Sequence, residues 1–242
     1  MRRPSFLAAT RAVLKNELRV FFLSPAAWVF LAAFLFIAGL FFTVAIAETG
    51  EASLRSALPN LGVMLVFTLP LVTMRQLAEE TRSGTLELLL TAPIPLGALL
   101  IGKWLAAVVL CAVMLLLTFP FPLVLFLFGD PDPGVLATSY LGLFLCCAAF
   151  TAAGLFASSL TRDPMVAGVV GVLLLLPSWL ASAARELLPQ RLEPVLDRLS
   201  FVEHLRSFAQ GVLDSGDVVW FAAFTFLFLF LCWRSLESRR WR

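Results

Sequence analysis

Gly97-Ala98-Leu99-Leu100-Ile101-Gly102-Lys103 has the spacing of a glycine-rich loop that cradles phosphates, up to its last position. That position is Trp104, which offers no hydroxyl to magnesium, and Pro93 and Pro95 stand where the preceding strand should be. The segment reads as a loop that restarts a helix, with Lys103 at the cytosolic interface, so the chain is not expected to bind ATP itself. Other chemistry-bearing residues are sparse. Cys111, Cys146, Cys147 and Cys232 fall inside apolar stretches with neither zinc spacing nor a secreted disulfide framework, and read as small apolar residues. His204 is the only histidine, which removes histidine-rich metal sites and makes a histidine-based charge relay improbable. In Gly129-Asp130-Pro131-Asp132-Pro133-Gly134, plain turn chemistry outweighs a cation site on the two aspartates. No nucleophile with a positioned base is recognisable. The expectation is a chain with no catalytic residue, no metal and no cofactor of its own.

What remains is one patterned polar segment, residues 75–90, lying between two greasy stretches. Gly84 permits a sharp turn, Thr85 is placed to cap a new helix, and Glu87 sits near that helix's positive end. Leu86, Leu89 and Leu90 give the helix an apolar face suited to a groove, and Pro93 stops it. A solvated loop seldom carries such a stripe. The segment presents a surface to something in the cytosol.

The elements that position it are membrane spans. Of 242 residues, 60% are hydrophobic and 14% charged, and mean hydropathy is +0.94, whereas soluble domains run near a quarter charged. The net charge of +2 gives no reason to invoke a nucleic-acid partner. Uncharged runs predict an all-α integral membrane protein, one transmembrane domain over residues 1–242, with spans at 25–47, 57–76, 103–128, 136–160, 164–183 and 217–233. The last is short, with Trp220 and Trp233 flanking it and Asp217 at its start. The connection carrying the polar segment occupies 77–102, outer helices 184–216 and a tail 234–242. With the N-terminus inside, thirteen of the 18 cations fall on the inner side, as the positive-inside rule requires. Both termini and the polar segment are then cytosolic, in a multi-pass protein of the cytoplasmic (inner) membrane. Ala45-Ile46-Ala47 resembles a signal-peptidase site, but the apolar run before it is too long for a signal peptide, and an uncleaved first span is expected.

Two further segments are amphipathic. Over residues 5–23, Phe6, Leu7, Val13, Leu14, Leu18, Phe21 and Phe22 share a face while Arg11, Lys15 and Arg19 form a basic stripe, the pattern of a helix lying at the inner headgroups of the bilayer. Over 184–217, Leu188, Leu192, Val195, Leu199, Val202, Leu205 and Phe208 recur at helical spacing. Nothing ionisable lies deep within any predicted span, which disfavours an ion-coupled transporter.

Glu79-Glu80-x-x-Ser83-Gly84-Thr85-Leu86-Glu87-Leu88-Leu89-Leu90-Thr91-Ala92-Pro93, followed by Gly102-Lys103, resembles the coupling segment of type-2 ABC transporter permeases. The likeness covers most of the chain, including the N-terminal helix ending in Phe22-x-Ser24-Pro25. The tail Phe208-x-x-Gly211-Val212-x-Asp214-x-x-Asp217, then Ser238-Arg239-Arg240-Trp241, is similar to the gliding-motility (GldF-like) branch. The resemblance implies a permease that dimerises with a second copy or a paralogue. Each copy would dock a cytosolic ATPase, which holds the ATP and magnesium, through Glu79, Glu80, Gly84, Thr85, Glu87 and Leu88. It further implies export or extraction of a hydrophobic or lipid-linked substrate, and an auxiliary membrane subunit with a large outer domain. The competing readings are a membrane anchor for a surface or gliding-type machine, an ion-coupled secondary transporter or channel, and a membrane-embedded enzyme.

Overall fold

Proline punctuates the chain where its helices begin. The computed structural model describes residues 5–49, 57–91, 94–128, 132–184 and 193–240, and among these every regular element is an α-helix. The described residues form an all-α fold. Helix α1 (Phe6–Leu23) starts at Ser5, whose Oγ accepts the Ala8 N–H, and α2 (Pro25–Thr49) follows after Ser24. Then come α3 (Ala57–Thr73), α4 (Arg75–Ser83), α5 (Thr85–Thr91), α6 (Leu96–Leu117) and α7 (Pro120–Phe128). The chain finishes with α8 (Pro133–Leu160), α9 (Pro164–Ala184), α10 (Glu193–Leu199), α11 (Phe201–Ala209) and α12 (Ser215–Arg240). Helices α2, α7, α8 and α9 each open on proline, whose missing N–H is harmless at a first helical position and whose fixed φ suits it.

Six candidate spans are long and apolar enough to cross a bilayer: Ala27–Val44, Asn60–Ser83, Leu96–Val124, Pro133–Leu160, Pro164–Ser182 and Ser215–Arg239. The protein is a multi-pass membrane protein. Helix α8 is the central post, because its small residues let neighbours approach closely. Ala149, Ala152, Ala153, Gly154 and Ala157 are buried along it. A Cβ on Gly154 would collide with the Thr73 hydroxyl of α3, and one on Gly142 would come within 2.8 Å of Phe208 on α11. At one end of α8, Thr138 Oγ1 donates to Phe208 O; at the other, Ser158 holds α4. Those two residues are about 30 Å apart along the helix, the thickness of a hydrocarbon core. Helices α4 and α11 therefore occupy opposite ends of the bundle.

The boundaries differ from the sequence reading at several points, among them the third span, which breaks after Leu117 into α6 and α7. Span two breaks at Met74, just beyond Pro70, and α4 leaves as a separate helix. Helix α6 begins at Leu96, upstream of residue 103, so Gly97 to Lys103 lie within a continuous helix and form no phosphate-cradling loop. Helix α12 runs on to Arg240, beyond the expected end at 233, because Leu236 is fully buried in a cluster with Leu77, Leu86 and Leu155. At the opposite end, Phe201, Leu205 and Phe208 of α11 are buried as their spacing requires, but Leu199 of α10 is exposed. Leu188, Leu192, Arg185 and Arg191 lie outside the described residues, as do Pro93, Asp130 and the first four residues.

Candidate functional site

The polar segment folds as two short helices hinged at Gly84. Gly84 has φ 75°, a left-handed conformation that costs an L-residue energy but suits glycine at a helix C-terminus. No atom lies within 4 Å of where its Cβ would stand, so backbone conformation alone calls for glycine there. The hydroxyls of Ser83 and Thr85 lie 2.8 Å apart and reach the Glu80 carbonyl oxygen at 3.3 and 3.4 Å. Thr85 thus closes the end of α4, whereas the sequence reading had it capping α5.

Three clamps hold α4 to the bundle. At its start, Ser158 Oγ on α8 accepts the Leu77 and Ala78 N–H groups at 3.0 and 2.9 Å and donates to Met74 O at 2.8 Å. Met74, the residue before α4, makes no side-chain cap, so these first-turn donors depend on the distant serine. Along its side, Arg239 of α12 donates to Ser159 O at 2.7 Å and to Thr81 Oγ1 at 3.3 Å.

The third clamp is an ion cluster on Lys103. Its side chain is 1% exposed, and its Nζ lies 2.5 Å from Glu17 Oε1 of α1, 2.7 Å from Glu80 Oε1 of α4, and 3.0 Å from Gln76 O. Three acceptors match the three donors of an ammonium group. Gln76 Nε2 returns a hydrogen bond to Lys103 O at 3.1 Å. Burial of a cation is tolerated because it is paired and saturated. Local packing makes the cluster reachable: a Cβ on Gly102 would meet Val13 at 2.8 Å, so glycine there lets α1 lie close enough for Glu17, one turn beyond Val13, to reach the lysine. The sequence reading put Lys103 at the cytosolic interface; the structure buries it as the junction of α1, α4 and α6.

Of the residues assigned to the coupling surface, Glu79, Gly84, Thr85, Glu87 and Leu88 are exposed. Glu80 is turned inward onto Lys103. Leu86, expected on the outward apolar stripe, is 4% exposed and packs with Leu77, Leu100 and Leu155, while Leu88 is 71% exposed. The pair Arg75–Glu79, at 3.6 Å and mostly exposed, contributes little. Arg11, Lys15 and Arg19 are exposed along α1, and its buried residues are Ala9 and Thr10, which face α6. The sequence reading missed Glu17, Gln76, Ser158 and Arg239. Glu17 left one signal: it is the single acid in α1.

The arrangement has the form of a mechanical junction. Helix α4 joins α5 at Gly84 and is bonded by polar contacts to α6, α8 and α12, and through Lys103 to Glu17 of α1. A family model described as ABC-2 family transporter protein matches residues 11–233. No curated protein matches the chain.

Proposed function

The chain belongs to the ABC-2 family of transporter proteins, and on that premise we propose that a separate ATP-binding cassette subunit grips α5 and drives the bundle through α4. The observation that carries the proposal is the division of labour on α5. Leu86 anchors the helix in the bundle while Leu88, 71% exposed, and Glu87 face away from it, on a hinge that glycine makes. Exposed apolar side chains on an anchored helix suit a groove in a partner.

In this reading ATP and magnesium reside on the partner, and this chain contributes no catalytic group. The α4–α5 end faces the cytosol, and the protein sits in the cytoplasmic membrane with both termini inside. Two permeases, identical or paralogous, assemble with two ATPase subunits to export or extract a hydrophobic or lipid-linked substrate. The outer helices α10 and α11 are the natural contact for an auxiliary membrane subunit. The gliding-motility placement rests on tail residues with structural duties of their own: Gly211 has φ 83°, and Asp214 accepts the Gly216 N–H at 2.8 Å.

The test is co-purification of the chain with a cassette ATPase of the same cell. Leu88→Arg should abolish association while leaving insertion and thermal stability intact, since the side chain is already exposed. Undiminished association of that variant refutes docking through α5.

A further inference from the structure

The turn between α8 and α9 carries Arg162, and the last turn of α12 brings Arg239 beside it. Both stand where spans end: Arg162 lies between the spans Pro133–Leu160 and Pro164–Ser182, and Arg239 closes the span Ser215–Arg239. The Arg239 guanidinium is anchored on Ser159 O, three residues before Arg162, and the two like charges are close enough to repel one another. Arg162 is exposed and Arg239 is half-buried.

Several cations of the bundle have acids of their own. Lys103 has Glu17 and Glu80, Arg206 has Glu203, and Arg234 has Glu237. Among the described residues neither Arg162 nor Arg239 makes an ion pair, and Arg239 meets only the neutral oxygens of Ser159 and Thr81. The acids nearest in sequence are already engaged. Asp163 Oδ1 accepts the Met165 N–H at 2.8 Å at the start of α9, and Glu237 holds Arg234 at 3.0 Å. Two uncompensated guanidiniums at one corner of the bundle are complementary to an anion, and to phosphate oxygens in particular.

The neighbouring surface says what carries that anion. Val166, Val169 and Leu173 of α9 are exposed, recur at spacings of three and four, and are joined by exposed Met165. This apolar strip begins within four residues of Arg162 and continues along the span, so charge and apolar surface meet in the order they have in a phospholipid. A soluble anion would use the arginines and leave the strip uncovered.

We propose that this corner binds a net-anionic phospholipid, its phosphate between Arg162 and Arg239 and an acyl chain along Val166, Val169 and Leu173. Basic pockets between spans at the cytoplasmic side favour such headgroups. A zwitterionic head brings its own cation, which the arginines repel, and is the weaker ligand. The bound phosphate relieves the repulsion between the two guanidiniums and so steadies Arg239 on Thr81 of α4. The lipid is a resident ligand, distinct from any transported substrate.

The experiment is photo-crosslinking of the full chain in phosphatidylcholine nanodiscs doped with a lipid that carries a diazirine in its acyl chain. Phosphatidylglycerol and phosphatidylcholine probes with the same chains are compared, and labelled residues are mapped by mass spectrometry. Labelling of Val166, Val169 or Leu173 is expected at about fivefold higher yield with the glycerol head. Arg162→Gln should lower that yield about fivefold, to the choline level. Arg234→Gln removes the same charge from the same end of the bundle, but from a cation already paired with Glu237, and should leave the yield unchanged. Soluble glycerol phosphate in excess should not displace the probe, because it lacks the chain. Equal yields for the two heads, parental labelling in Arg162→Gln, an equal fall in Arg234→Gln, or displacement by glycerol phosphate overturns the proposal. Since no ATPase is present, the outcome is independent of whether α5 docks one.

Discussion

Lys103→Met removes the cation that Glu17 and Glu80 share and leaves two carboxylates facing each other, with side chains only 13% and 23% exposed. Contacts of 2.5 and 2.7 Å correspond to a gross attraction of about 6 kcal/mol each at an effective dielectric of about 20. Desolvation of the ammonium offsets much of this, and breaking a buried pair by deleting one partner costs about 3–5 kcal/mol. Residual water at the two glutamates places the loss near the lower end, about 3 kcal/mol. At roughly 2–4 °C per kcal/mol for a chain of this size, the unfolding midpoint falls by about 6–12 °C. The assay is thermal unfolding in nanodiscs followed by tryptophan fluorescence. Trp104, adjacent to Lys103 and hydrogen-bonded to Ala148 O at 3.0 Å, lies close to the change. The triple variant Lys103→Met, Glu17→Leu, Glu80→Leu removes the stranded charges and should recover most of the loss, because apolar replacement of a whole buried ion cluster is often near neutral. A single variant within about 1 kcal/mol of the parent, or a triple variant no better than the single, refutes the reasoning.

Ser158→Ala strips the acceptor from the Leu77 and Ala78 N–H groups; it should cost about 1–3 kcal/mol and speed hydrogen exchange at those two amides. Gly84→Ala meets no steric obstacle but must adopt φ 75°, so chemical unfolding should show a loss of about 1–2 kcal/mol. At the opposite end, His204 Nδ1 lies 2.6 Å from Asp217 Oδ1 and the ring stacks on Trp220. His204→Leu should cost about 1.5–3 kcal/mol and raise hydrogen exchange in α11, with ATPase association unchanged.

The spans were legible because an apolar run needs no partner to be recognised: bilayer thickness sets its length. Gly84 was legible too, since a glycine between two short helical patterns points to a left-handed residue. The ion cluster was not. Helical periodicity describes one helix at a time, and Glu17, Glu80 and Lys103 belong to three. Lys103 was read as interfacial because Pro93 and Pro95 suggested a late helix start, whereas α6 begins immediately after Pro95 and carries the lysine inward. Spacing grouped Leu86 with Leu89 and Leu90, but whether that face looks to solvent or to the bundle depends on Leu77, Leu155 and Leu236 beneath it. Ser158 read as a small packing residue; its role appears only once the break at Met74 leaves two N–H groups pointing at it. The length of α12 was underestimated because charge marked the end of the apolar run, and Arg239 turned out to be spent on Ser159 and Thr81.

Docking of a nucleotide-driven partner on α5 is tested most directly by thiol labelling of Leu88→Cys. The four native cysteines are all buried, so the introduced thiol reports with little background. A membrane-impermeant maleimide is applied to sealed vesicles of both orientations, with and without the ATPase. Labelling only where the α4–α5 end faces the reagent as the cytosolic side, and its suppression by bound ATPase, is the predicted result. Labelling from the outer compartment, or labelling that the ATPase leaves unchanged, would contradict the account.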